Sequence, residues 1–226
     1  MKSRVITLLA VAFALALFPA TLQAGTITYN LGSCPTSGPC SGTTSSSVTY
    51  ASGGINIAAT GYATDHTTPT NSTTDLYIKN PPAYTGDEIG LGIAAPDDDH
   101  EIESGQFIQL DLTNLASAGF DSGTLLLGSV QGGERYSVCE SGAAGAQGSL
   151  NCKTGGENGT TEEASVPIVW STADPYIDIT VPTEGGDILV SSLAVATPEP
   201  GTAGLMLIGI GGLLIFTLRR RLAATV

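Results

Sequence analysis

Positive charge is the scarcest thing in this chain. Of its eight Lys and Arg residues, Lys2, Arg4, Arg219, Arg220 and Arg221 sit at the two ends, leaving Lys79, Arg135 and Lys153 for residues 25–197. The same span holds twenty acidic residues and a formal charge of −17. Phosphate backbones and anionic lipid surfaces are bound by clustered Lys and Arg, so nucleic-acid binding is excluded as a function class. Aromatics are 6% of the chain, and His66 and His100 are its two histidines. Few side chains can therefore act as bases near neutral pH. No G-x-S-x-G nucleophile elbow occurs, and the pairs Gly53-Gly54, Gly132-Gly133 and Gly155-Gly156 lack the spacing and the lysine of a phosphate loop. Twenty acids supply carboxylate pairs by chance, so such pairs do not argue for glycoside hydrolysis. The expectation is a protein that is not an enzyme.

Sustained 3.6-residue periodicity is also missing between residues 25 and 197. Short runs rich in β-branched and aromatic residues recur instead, broken by Gly, Pro, Asn and Asp. They predict strands over 26–31, 47–51, 55–62, 75–79, 88–93, 107–112, 124–130, 135–139, 166–170, 176–181 and 188–196. Ile108, Leu110 and Leu112 alternate with polar residues, as do Ile177, Ile179 and Val181. Period-two alternation means one packed face and one wet face, the mark of antiparallel sheets. The expected fold class is all-β, an antiparallel β-sandwich or jelly-roll-like domain. Trp170, the sole tryptophan, is read as a core residue rather than a sugar-stacking platform.

Residues 34–47 and 142–163, dense in Ser, Thr and Gly, are read as long surface loops. The four cysteines lie in or beside them. In an exported protein an even count reads as disulfides, and Cys34–Cys40 with Cys139–Cys152 is the simplest of three connectivities. Zinc held by all four thiolates is the competing reading, and gaps of five and twelve residues fit it poorly. The densest polar cluster is Asp97, Asp98, Asp99, His100 and Glu101. Clustered carboxylates in a loop can ligate calcium, with Asp97, Asp98, Asp99 and Glu101 as the donors, but the spacing is not that of an EF-hand. A solvated acidic turn without a cofactor is the preferred reading. Tyr50, Tyr62, Tyr77 and Tyr84 would favour carbohydrate binding if they shared one sheet face.

The ends are the most informative parts. Lys2 and Arg4 precede an apolar run ending at Phe18, Pro19 breaks it, and Ala24 stands before Gly25. Residues 1–24 read as a signal peptide that signal peptidase cuts between Ala24 and Gly25; an uncut anchor is the alternative. At the other end Pro198-Glu199-Pro200 forms a stiff, non-helical stub, since each proline fixes its own φ and holds its predecessor extended. An uncharged run over 203–218 follows, long enough as a helix for about 24 Å, and then Arg219, Arg220 and Arg221. Arginines at that flank hold it in the cytoplasm, so the run is read as one transmembrane helix with the domain outside.

Tripeptide, short Gly- and Leu-rich run and arginine cluster, in that order, make residues 198–226 resemble the PEP-CTERM sorting signal. The resemblance implies an exported protein, held briefly in the inner membrane. An exosortase then cuts it near the tripeptide and passes it to the cell surface or the extracellular matrix. It also implies a biofilm and exopolysaccharide setting. The resemblance covers about the last 30 residues and says nothing of the domain at 25–197. That domain is expected to be structural or adhesive; the alternatives are an exopolysaccharide-binding module and, behind it, a secreted hydrolase.

Overall fold

The computed structural model describes residues 25–36, 39–63, 72–80, 88–94, 99–156, 162–182 and 186–196. Outside the described residues lie the signal-peptide segment with Ala24, the tripeptide Pro198-Glu199-Pro200, the 203–218 run and Arg219, Arg220 and Arg221. So do Asp97, Asp98, His66 and Tyr84. Among the described residues no helix is long and apolar enough to cross a membrane. The strands belong to one compact unit, Thr26–Ala196.

Along the chain run β1 (Thr26–Asn30), β2 (Gly42–Thr43), β3 (Ser47–Ser52), β4 (Ile55–Ala63), β5 (Ser72–Thr74), β6 (Leu76–Lys79), β7 (Gly90–Ile93) and β8 (Gln106–Asp111). A single helical turn, α1 (Thr113–Ser117), follows. Then come β9 (Ser122–Gly128), β10 (Arg135–Ser141), β11 (Leu150–Gly156), β12 (Ala164–Val169), β13 (Tyr176–Thr180) and β14 (Leu189–Ala196). They form two antiparallel sheets. The first has the order β12-β9-β14-β7-β6-β2, with β1 also on β14; the second has the order β11-β10-β13-β8-β4-β3, with β5 also on β4. From β7 onward every step except β10 to β11 changes sheet. The last eight strands thus stand as β7-β14-β9-β12 and β8-β13-β10-β11, the winding of a jelly roll.

The inner faces of both sheets meet in one apolar core. Ile108, Leu110, Ile177 and Ile179 come from the second sheet, and Leu91, Ile93, Leu125, Leu127 and Leu193 from the first, all at most 1% exposed. Trp170 and Tyr50 are in it too, and Tyr50 donates its hydroxyl to the Leu31 carbonyl at 2.7 Å. The sheets approach closely at Gly61, where a Cβ would stand 2.7 Å from the Thr74 carbonyl oxygen and 3.0 Å from the side chains of Leu76 and Ile93. Any larger residue there would push the layers apart.

All eleven expected strands are present, and four elements were not foreseen. α1 is one. β2 and β5 are very short, and β11 lies within the segment read as a loop over 142–163. β10 and β11 form a hairpin that the Cys139–Cys152 disulfide crosses near its loop end. The two bridges are Cys34–Cys40 and Cys139–Cys152, with no free cysteine. Cys139 sits at a register shift between Val138 and Glu140, where β11 carries one extra residue and Asn151 takes φ 47°.

The outer face of the second sheet corrects the expectation of a wet surface. Phe107, Gln109 and Asp178 point outward, yet they are 0%, 3% and 1% exposed. The β10–β11 loop folds back over them.

Candidate functional site

Lys79 ends an apolar strand, Leu76-Tyr77-Ile78-Lys79, and alternation turns its side chain to the outer face of the first sheet. It is nevertheless fully buried, because the segment around His100 and Glu101 crosses that face. The crossing needs Gly92, since a Cβ there would meet the His100 carbonyl oxygen 2.0 Å away. His100 takes φ 59° and stacks its ring on Tyr77, centroids 3.9 Å apart. Lys79 Nζ then donates to Glu101 Oε1 at 2.5 Å and to Glu88 Oε2 at 3.3 Å. Ser129 Oγ and Gln131 Nε2 donate to Glu88 Oε1 at 2.9 and 3.0 Å.

Two carboxyls and one ammonium in this small volume divide a proton unequally. Burial pushes the Glu101 carboxyl up to about 8, against the pull of Lys79. Burial also acts to raise Glu88, but hydrogen bonds from Glu101 and Ser129 and the Lys79 charge hold it below its ordinary range. Burial lowers Lys79, and the bond and charge of Glu101 more than offset this and leave it raised. The proton therefore belongs on Glu101, whose Oε2 is buried with no donor facing it. These shifts favour a charged Lys79, an ionised Glu88 and a neutral Glu101.

Glu88 also borders a groove of about 380 Å³ on the outer face of the first sheet. Thr28 and Asn30 of β1, Ser191 and Ser192 of β14, Ser129, and Glu162 and Glu163 give it a polar lining, with Ile89 and Leu126 as apolar patches. Along the groove β14 shifts register against β9 between Val190 and Ser192. Gly128 opposite brings no side chain to fill it; a Cβ there would lie 2.8 Å from Ser191 Oγ.

A third polar cluster underlies the β10–β11 loop. Gln109 Nε2 donates to Asp178 Oδ1 at 2.8 Å and to the carbonyls of Ala143 and Ala146, each at 3.3 Å, while its Oε1 accepts from Gly145 N. Gly148 N donates to Asp178 Oδ2. Burial pushes the Asp178 carboxyl up to about 6 despite these two donors. Beside it Tyr62 and Phe107 stack, centroids 4.8 Å apart. The cluster fastens the loop down.

One end of the chain matches a known family model. Residues 196–221 fit the PEP-CTERM protein-sorting motif. The chain carries a PEP-CTERM sorting motif. No curated protein and no solved structure matches the chain. The PEP-CTERM motif begins at Ala196, the last residue of β14, and takes in Pro198, Glu199, Pro200, Arg219, Arg220 and Arg221. Sorting motif and folded domain thus abut in the chain with no linker between them.

The remaining expected site residues scatter. Tyr50 is core, Tyr62 is under the β10–β11 loop on the second sheet, and Tyr77 is on the first, so these three candidate tyrosines do not share a face. Of the acidic cluster, Asp99 Oδ1 accepts from Glu101 N at 3.4 Å, and Glu101 points into the buried cluster rather than to solvent. Glu101 is thus no part of a solvated turn. Among the described residues no group of three or more His, Cys, Asp or Glu side chains is placed to hold a metal ion. Sequence reasoning missed the Lys79–Glu88–Glu101 cluster. Its signal was a lysine closing an apolar strand in a domain that has three basic residues.

Proposed function

We propose that this chain is exported, that an exosortase sorts it to the cell surface through its C-terminal motif, and that its β-domain serves there as a non-catalytic structural or adhesive component. The match of residues 196–221 to the sorting motif carries this reading. In it, signal peptidase cuts between Ala24 and Gly25, and the 203–218 run holds the chain in the inner membrane with Arg219, Arg220 and Arg221 inside. The acidic surface, with few cationic groups to bind phosphate, suits a soluble exterior. The non-catalytic part is supported by the state of the carboxylates. Glu88 already accepts from Lys79, Ser129 and Gln131, and Asp178 is covered. Replacing Pro198, Glu199 and Pro200 by alanine is expected to leave the protein in the inner membrane. Intact mass of the wild type from the cell surface is expected to begin at Gly25 and end near Pro198. Surface display unchanged by the alanines would sink the sorting reading.

Binding of exopolysaccharide is the second reading, favoured by the groove between β1, β9 and β14. Its size suits one or two sugar rings, and its hydroxyls and carboxylates suit polyols. Co-sedimentation with the cell's own polysaccharide tests it: Ser192→Trp, which fills the groove, should abolish retention, and equal retention would refute it.

A further inference from the structure

We infer that the groove between β1, β9 and β14 takes a polysaccharide bearing free amines, with its sugar hydroxyls on the floor and its ammonium groups beside the carboxylates of Glu88, Glu162 and Glu163. The inference rests on the polysaccharide reading above and names the ligand class of that groove.

The floor follows from strand alternation. Tyr29, Leu125, Leu127 and Leu193 turn inward to the core, which sends Asn30, Leu126 and Ser192 to the outer face. Register sets those three in one row, because Asn30 faces Ser192 and Ser192 faces Leu126. With strands about 4.8 Å apart, the row runs about 10 Å across three strands. It offers an amide, a hydroxyl and an apolar patch, and Ile89, which is exposed, adds a second apolar contact. Apolar surface with a few placed polar groups suits a sugar ring, which has a C–H face and a rim of hydroxyls. The floor is also held in shape. Ser191 Oγ donates to the Ile89 carbonyl at 3.0 Å, and Leu31 N donates to the Ser191 carbonyl at 2.9 Å.

The acids gather at one corner of this floor. Ser129 Oγ and Gln131 Nε2 donate to Glu88 Oε1, and Val130 N donates to the Glu162 carbonyl at 2.9 Å. Both chain segments are thus fastened to residues 129–131, and Glu163 lines the groove as well. Glu162 and Glu163 are exposed. Among the described residues no Lys, Arg or His lines the groove. Lys79 pairs with Glu88 from a fully buried position, so it offers the groove no charge at its surface. The neighbouring stretches 81–87 and 157–161 contain no basic residue either.

Such a lining sorts polysaccharides by charge. A uronic acid chain is repelled, a neutral chain gains hydrogen bonds alone, and an amine-bearing chain gains attraction as well. One exposed ion pair contributes little, but a polymer presents an amine on ring after ring. The rest of the acidic surface attracts any polycation without regard to shape. The polar and apolar row is what adds a preference for a sugar.

The experiment measures, by calorimetry at pH 6 and low salt, the binding of four probes to the full chain purified in detergent. The probes are a glucosamine tetramer, its N-acetylated counterpart, a galacturonic acid tetramer and tetralysine. The glucosamine tetramer is expected to bind about tenfold tighter than the N-acetylated one, and the galacturonic acid tetramer not at all. Glu162→Gln with Glu163→Gln should reduce that preference to about twofold and leave the N-acetylated tetramer's affinity unchanged. Asp75→Asn with Asp121→Asn removes the same charge from exposed positions outside the groove and should leave the preference intact. Ser192→Trp should abolish binding of both sugars. Equal binding of the two, each blocked by Ser192→Trp, overturns the amine selectivity and leaves the polysaccharide reading standing. Tetralysine bound as tightly as the glucosamine tetramer, or a preference lost equally in the Asp75→Asn, Asp121→Asn variant, shows charge without shape and overturns it too. Sugar binding indifferent to Ser192→Trp, or no sugar bound at all, overturns the polysaccharide reading and this inference with it.

Discussion

Replacing Lys79 by methionine should cost the domain far more than replacing Glu101 by glutamine, although the two side chains are partners at 2.5 Å. The asymmetry follows from where the proton resides. With its carboxyl pushed up to about 8 by burial, Glu101 favours the neutral form at pH 7. Glutamine has the same shape as the neutral acid and keeps a carbonyl oxygen toward Lys79 Nζ, so its cost should stay under about 1 kcal/mol. Methionine removes the cation and leaves the Glu88 carboxylate without its counter-charge in a half-closed site, which costs about 3–5 kcal/mol. In a domain of this size 1 kcal/mol moves the melting midpoint by about 2–4 °C. The variants should therefore separate by roughly 4 °C or more in thermal unfolding of residues 25–196 at pH 7, disulfides intact. The pH dependence supplies the sign. Glu101 is raised above its unfolded value of about 4.3, so its contribution is complete below that pH and is lost as pH rises through about 8. Wild type should lose stability between pH 7 and 9, and Glu101→Gln should remove most of that loss. Asp178 acts with the same sign at lower pH, its contribution fading through about 6. Glu88, held low, loses its contribution only as pH falls below the usual carboxylate range. Equal costs for the two variants, or a midpoint that rises from pH 7 to 9, would show an ionised Glu101 and refute the reasoning.

Further outcomes follow from the same structure. Cys139→Ser with Cys152→Ser should destabilise by about 3 kcal/mol, from the loop entropy released by a bridge 13 residues apart, read in urea unfolding; no change in midpoint would mean the hairpin holds without it. Leu193→Ala, fully buried on β14, should cost about 2–5 kcal/mol, while Val169→Ala, 48% exposed on the edge strand β12, should stay within about 0.5 kcal/mol; equal costs would contradict the placement of the core. Gly92→Ala should cost about 1–3 kcal/mol through its clash with the His100 carbonyl; calorimetry showing no loss would mean the crossing segment is not seated there.

The strands were legible because burial on one face writes a period of two into the chain. Ile108, Leu110, Ile177 and Ile179 are where alternation puts them. The disulfides were legible because both pairs are local. What alternation could not convey is how the other face is covered. Gln109 and Asp178 occupy polar positions and read as solvent-exposed, and their burial depends on a loop more than 30 residues from Gln109 in sequence. β11 was hidden by its own composition, since Leu150–Gly156 is an exposed edge strand with no apolar stripe to reveal it. Glu101 was hidden for a similar reason. A run of Asp, His and Glu has the composition of a wet turn, and its burial depends on a lysine 22 residues earlier and on a glycine that admits the crossing. The sorting motif needed no tertiary information, because its three parts are contiguous.

The strand order also constrains when the domain can finish folding. β14 is the last strand to be made, yet it lies inside the first sheet, with β9 on one side and β7 and β1 on the other. A chain emerging N-terminus first can close the β3–β4 and β10–β11 hairpins and both disulfides early, because those contacts are local. The first sheet must wait for residues 189–196, and β1 waits longest, since its ladder spans nearly the whole domain.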